Sequence, residues 1–169
     1  MLGETASPVG RGTMPRDAQE FAFLEPGTLV DGELELVLLM RYPADPGSEY
    51  APMYRFEMRS ASYGEAMGRI DLRVGHTSHL ERYAGHIGYR VEPAYRGHHY
   101  AARSCRLLFP LARRHGLNPL WITCDPDNLA SRRTCELAGG RLVGIVRVPR
   151  DDELYLLGHR RKCRYRVDL

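Results

Sequence analysis

The chain has 169 residues, 43% hydrophobic and 27% charged, with a formal net charge of +3. That length suffices to bury a real core as one domain, and that balance fits a soluble globular protein rather than a disordered or fibrous one. The basic excess is thinly spread, which argues against a nucleic-acid partner; no apolar run nears the eighteen or so residues of a membrane span, and no hydrophobic h-region marks a secretory leader.

Residues 1–20 are rich in Gly, Pro and polar residues without periodicity, which predicts a disordered lead-in. "ELELVLLM" (33–40) reads as a strand, and "RYPADPGSEYAP" as a turn-rich connection. In "MYRFEMRSA" Met53, Arg55, Glu57 and Arg59 alternate against Tyr54, Phe56 and Met58; "AMGRIDLRVG" alternates again after a turn at "YGE". Together they predict a hairpin. "GHTSHLERYAG" reads as a polar connection, and "HIGYRVEP" as a further strand ended by Pro93. With the hairpin it makes three strands in sequence, expected to be antiparallel, before the first helix.

That helix is predicted from about His98 to His115. Ala101, Cys105, Leu108 and Ala112 recur at helical spacing, widened by Leu107 and Leu111, with Gly116 as C-terminal cap and a kink expected at Pro110. "PLWITC" (119–124) is a short apolar strand of the kind buried mid-sheet. Asn128 then caps a short helix, "LASRRTCELAGG", stopped by Gly139, with Ser131 and Arg132 facing out from its first turn. "RLVGIVRV" and "KCRYRVDL" are two further alternating strands. The expected class is mixed α+β, a mostly antiparallel sheet of six or seven strands with flanking helices.

Two segments carry candidate chemistry. In "YRGHHYA" a strand turns at a proline and enters a helix, offering exposed backbone amides that suit a pyrophosphate; the bland alternative is a solvated basic turn. In "CDPDNLASRRTCELAGG" a central strand runs into a capped helix. Each lies at the carboxyl end of a strand, where open α/β sheets bind ligands. A metal site is not expected: His98 and His99 are adjacent, and His76, His79 and His86 lack a completing pair. The four cysteines, Cys105, Cys124, Cys135 and Cys163, form no CxxC pair and read as reduced core residues. A cytoplasmic protein with free thiols is the expectation.

The two segments, in this order, resemble the GNAT superfamily of N-acetyltransferases, which use acetyl-CoA. In that family a strand leads through a turn of the form [RQ]-x-x-G-x-[GA] to a long helix. Here "IGYRVEPAYRGHHYA" carries the strand, a Val-x-Pro exit, Arg96 at the first motif position and Ala101 at the last. The later N-x-x-[AS]…G-[GF] segment matches "NLASRRTCELAGG" through Asn128 and Ser131. The pattern is nearest to the branch of ribosomal-protein N-terminal acetyltransferases. The resemblance covers about residues 21–169 and implies a single acetyltransferase domain with its sheet splayed in the middle.

For function the resemblance implies acetyl transfer from acetyl-CoA, without metal, to a primary amine of a small molecule or a protein N-terminus, and by family habit a homodimer. The implied cofactor-binding residues are Tyr89, Arg90, Val91, Arg96, Gly97, His98, His99, Tyr100, Ala101, Asn128, Ser131 and Arg132. Two positions depart from the pattern. His99 stands at the fourth-position glycine, and Cys135 stands where many members carry a tyrosine that protonates the leaving thiolate. Catalytic candidates are therefore Glu57, His86 and Tyr89 as bases, and Cys135 or Ser131 as acid. The acidic run Asp151, Asp152, Glu153 would attract a cationic amine or merely form a solvated loop. Other readings are an acyl-CoA-binding regulatory domain without turnover, and an RNA-binding module built on Arg160, Arg161, Lys162, Arg164 and Arg166.

Overall fold

The computed structural model describes residues 21–44 and 50–169, so the lead-in expected at 1–20 lies outside the described residues. The elements are β1 (Val30–Asp31), β2 (Leu34–Tyr42), β3 (Met53–Ser60), β4 (Ala66–Arg73), β5 (Ile87–Val91), α1 (Tyr100–Arg114), β6 (Leu120–Cys124), α2 (Leu129–Leu137), β7 (Arg141–Arg147), α3 (Glu153–Leu156) and β8 (Arg161–Val167). One sheet holds the strands in the order β1-β2-β3-β4-β5-β6-β8-β7. It has eight strands rather than six or seven, because a two-residue strand, β1, adds to β2. "GHTSHLERYAG" is not wholly a loop either, since Leu80–Ala84 forms one helical turn that rests on β6.

The alternation read in β3 sets the two faces. Tyr54, Phe56 and Met58 are fully buried, and across the ladder Ile70 and Leu72 of β4 and Ile87 of β5 join them. Cys105, Leu108, Leu111 and Ala112 of α1 close over this face. α1 is shorter at its start than expected, beginning at Tyr100, and it continues through Pro110 to Arg114. Pro110 lies on the solvent side, where water can satisfy the carbonyl its missing amide leaves free.

Among the described residues β5 and β6 are the only parallel neighbours in the sheet, and they meet at the single pair Ile87↔Ile122. Beyond that pair the strands part, as the expected splay requires. His86 fastens the closed end of this fork. Its backbone N–H donates to the Trp121 carbonyl at 2.7 Å, its Nδ1 accepts the Trp121 N–H at 2.8 Å, and its Nε2 donates to the Gly75 carbonyl at 2.9 Å. One accepting and one donating nitrogen define a neutral ring. The side chain is fully buried, and that burial holds its pKa below the ordinary 6.5.

A histidine kept neutral by the fold stabilises it fully above pH 6.5, and that contribution fades as pH falls through 6.5 toward the lowered native pKa. Denaturant unfolding should therefore give a stability that declines from pH 8 to pH 5. His86→Ala strands two buried backbone groups and should cost about 2–4 kcal/mol at pH 8. The variant should also show a shallower pH decline, its remainder carried by His115, whose pKa burial likewise lowers.

Candidate active site

The turn between β5 and α1 is built to present amides. Gly97 has φ 89° and His99 has φ 59°, conformations that favour glycine and turn successive N–H groups to one side. His99 is the N-cap of α1, yet no side chain caps the helix and no acidic residue lies in its first turn. The first intrahelical bond is Arg103 N–H to the His99 carbonyl, so the amides of Tyr100, Ala101 and Ala102 are left for another acceptor. Arg96 is tethered across the turn by Nε donating to the Val91 carbonyl at 3.1 Å. The turn thus combines the positive end of the α1 dipole with the Arg96 guanidinium, which forms no salt bridge among the described residues.

α2 forms the facing wall. Its cap is Asn128, whose Oδ1 accepts the Ser131 N–H at 3.0 Å. Between the two helix starts and β5 lies a cleft of about 450 Å³. Of the residues inferred from sequence, Tyr89, Arg90, Val91, Arg96, Gly97, His99, Tyr100, Ala101, Asn128 and Ser131 line it. Ala130, Arg133, Thr134 and Leu137 complete the lining and were missed. Their signal was present in the spacing, because 130, 133/134 and 137 form one helical stripe once Asn128 is fixed as the cap.

The floor of the cleft is the open fork. Arg73 N–H donates to the His86 carbonyl, and Glu92 N–H to the Met67 carbonyl. In an antiparallel ladder that alternation turns the N–H and C=O of Tyr89 and Val91 the other way, toward the gap that β6 has left. The Tyr89 hydroxyl crosses to α2, lying 2.7 Å from Ser131 Oγ and 3.2 Å from the Ser131 carbonyl. Burial raises the Tyr89 pKa well above the usual phenol value, so this hydroxyl stays protonated at neutral pH.

Five assignments change. His98 is exposed and stacks on the Tyr100 ring, outside the cleft lining. Arg132 turns away, its guanidinium directed at the Tyr165 hydroxyl and the Pro126 carbonyl, while Arg133 takes the cleft side. Both ring nitrogens of His86 are engaged in the fork, so it is no base. Glu57 sits on the sheet face opposite α1, paired with Arg59 at 2.6 Å, and β3 is two strands, about 10 Å, from β5. Cys135 is fully buried behind the cleft wall, where the neighbouring Cys124 and burial push its thiol pKa upward. Two of the three carboxylates of the acidic run are also occupied: Asp152 caps α3 and pairs with His79 at 2.9 Å, and Glu153 accepts the Tyr50 hydroxyl at 2.6 Å.

The left-handed backbone at residue 99 gives a direct test. His99→Gly relieves a conformation that costs a side-chain-bearing residue about 1–2 kcal/mol, offset in part by glycine's greater unfolded entropy. It should raise unfolding stability by about 0.5–1 kcal/mol, and His99→Val should lower it by at least as much, both read in urea.

Comparison with known proteins agrees with this architecture. No curated protein sequence matches the chain. Among solved structures it is similar to a GNAT-family acetyltransferase from Bacillus anthracis, with TM-score 0.52 and 19% identity over 68% of this chain and 65% of that one. It is similar to the microcin C7 self-immunity acetyltransferase MccE in complex with acetyl-CoA and AMP, with TM-score 0.54 and 16% identity over 69% and 61%. A Vibrio cholerae structure described as a ribosomal-protein-serine acetyltransferase gives TM-score 0.60 and 15% identity over 86% and 100%. The chain thus spans less than two thirds of the first two of these structures. Identities at this level speak for the fold. Membership rests on sequence: residues 19–141 match the family model of the acetyltransferase (GNAT) domain, and the chain belongs to that family.

Proposed function

We propose that the chain transfers the acetyl group of acetyl-CoA to a primary amine by direct attack. The observation that carries this reading is the single cleft that joins an anion-binding turn to the unpaired edge of β5. A pyrophosphate on the amides of Tyr100–Ala102 and on Arg96 sets one end of the donor. From there an extended amide-bearing arm fits the gap as a substitute strand, bonding the N–H and C=O of Tyr89 and the N–H of Val91, while the Val91 carbonyl stays with Arg96. That the MccE structure holds acetyl-CoA supports the same cosubstrate here.

The arm ends at the fork, where the Tyr89 N–H points into the gap and would donate to the acetyl oxygen as charge develops on it. The incoming amine must be neutral. For a lysine-like amine near pKa 10.4, neutrality at pH 7 costs about 4–5 kcal/mol, and for a peptide α-amino group near 7.8 about 1 kcal/mol. Glu57, paired with Arg59 two strands from β5, would act on that proton only through a chain of water. On departure the thiolate needs a proton; the amine that has attacked carries one in surplus, and the Tyr89 hydroxyl, bonded to Ser131, relays it in place of the residue at position 135.

Binding and turnover are separable. Calorimetric titration should show saturable acetyl-CoA binding that Arg96→Ala weakens about tenfold, the loss of one charge-assisted contact. Thiol release across a panel of amines, followed with a chromogenic thiol reagent, should rise with pH as the amine deprotonates. Binding without release from any amine would favour the regulatory-domain alternative. Tyr89→Phe should lower kcat about tenfold or more with little change in acetyl-CoA affinity. Cys135→Ala should leave kcat within about threefold, and the reverse ranking would return the acid role to Cys135.

A further inference from the structure

On the face of the sheet opposite α1, Arg55, Asp71 and Arg73 share one side of the ladder with Gly88, since Arg55 pairs with Asp71 and Asp71 with Gly88. Asp71 is buried, and Arg55 takes both of its oxygens, Nε to Oδ1 at 2.9 Å and Nη2 to Oδ2 at 3.0 Å. Arg73 is thereby left over. Its guanidinium lies on Gly88, so closely that a Cβ there would come within 3.1–3.2 Å of both terminal nitrogens. Its one hydrogen bond is a long contact from Nη1 to the Gly85 carbonyl, 3.4 Å, and it forms no salt bridge among the described residues. A guanidinium offers five donors. A half-buried one using a single weak contact, beside a carboxylate already neutralised, is a cation without a counter-ion. Its pKa is lowered, chiefly by desolvation, with Asp71 only partly opposing this.

Position gives this surplus charge a meaning. Gly88 is the first β5 residue past the only β5–β6 pair, and it precedes Tyr89, whose amide faces the gap. The donor cleft occupies the α1/α2 side of that gap. An amine attacking the same carbonyl must therefore come from the other side, where Arg73 stands within about one strand spacing, ~4.8 Å, of the fork.

We propose that Arg73 is the specificity residue for the acceptor, and that the acceptor is a short amine bearing a carboxylate. The inference rests on the transferase reading above. The planar fork of the guanidinium matches the two oxygens of a carboxylate. Its closeness to the gap suits an amine one or two carbons from the acid, such as an α- or β-amino carboxylate.

The test uses acetylated products, so it needs no turnover. The CoA-saturated protein is titrated calorimetrically with N-acetylglycine, N-acetyl-β-alanine, their primary carboxamides, and N-acetyl-2-aminoethyl phosphate. At least one carboxylate should bind tenfold or more tightly than its carboxamide and than the phosphate. Arg73→Gln should abolish that preference while acetyl-CoA affinity stays within about twofold, and Arg73→Lys should restore part of it. Gly88→Ala keeps the charge but shifts the guanidinium by a few tenths of an ångström, and should weaken the same carboxylate. Equal binding of carboxylate and carboxamide, preference for the phosphate, no binding by any carboxylate, or a preference unchanged in both Arg73→Gln and Gly88→Ala would each overturn the proposal. Failure of acetyl-CoA to bind would sink the transferase reading separately; the carboxylate titrations are then run on the free protein and judged by the same outcomes.

Discussion

The structure depends on one fault in its own sheet. Parallel β5 and β6 meet at Ile87↔Ile122 and then separate, which leaves backbone donors and acceptors of β5 facing an unfilled gap. Such groups are costly unless something bonds them. The fault persists because the closed end is over-determined: the Trp121 amide goes to the His86 ring, and the Trp121 carbonyl to the His86 amide. The side chain does there what a continued ladder would do elsewhere. Both helix starts, Tyr100 and Leu129, follow strands that end beside the gap, so the unbonded amides of the α1 start and the open edge share one cleft.

Charge is distributed in the same sense. The turn from Arg96 to His99 and the uncapped start of α1 form a positive end without acidic neighbours in the first turn. Across the sheet, Asp71 is spent on Arg55, and Arg73 is left in surplus. The two faces of the fork thus present separate sets of donors, the α1-start amides with Arg96 on one and the Arg73 guanidinium on the other.

Most of the fold was legible where the chain obeys a period. The hairpin of β3 and β4, the stripe of α1 and the Asn128 cap all follow from alternation, helical spacing and cap chemistry. What could not be read was set by distant partners. β1 is two residues long and has no pattern of its own. β8 inserts between β6 and β7, a placement no local signal encodes. The five-residue turn at Leu80–Ala84 is too short for periodicity. Within the site, the left-handed backbone at His99 explains why a glycine suits that position. The choice of Arg133 over Arg132 turned on one residue of helical phase. His86 and Cys135 looked like chemistry by residue type, but their partners, a backbone clamp and a buried thiol neighbour, became visible only once the strands were assembled.

In the proposed reading the donor's arm completes the β5 edge. Amide hydrogen exchange at Tyr89 and Val91, followed by NMR with and without CoA, tests it most directly. CoA should slow exchange at both of these amides and at Tyr100, Ala101 and Ala102, while Gly88 and Arg90, which face β4, change little. Protection confined to the helix start, with Tyr89 and Val91 exchanging as fast as in the free protein, would contradict it.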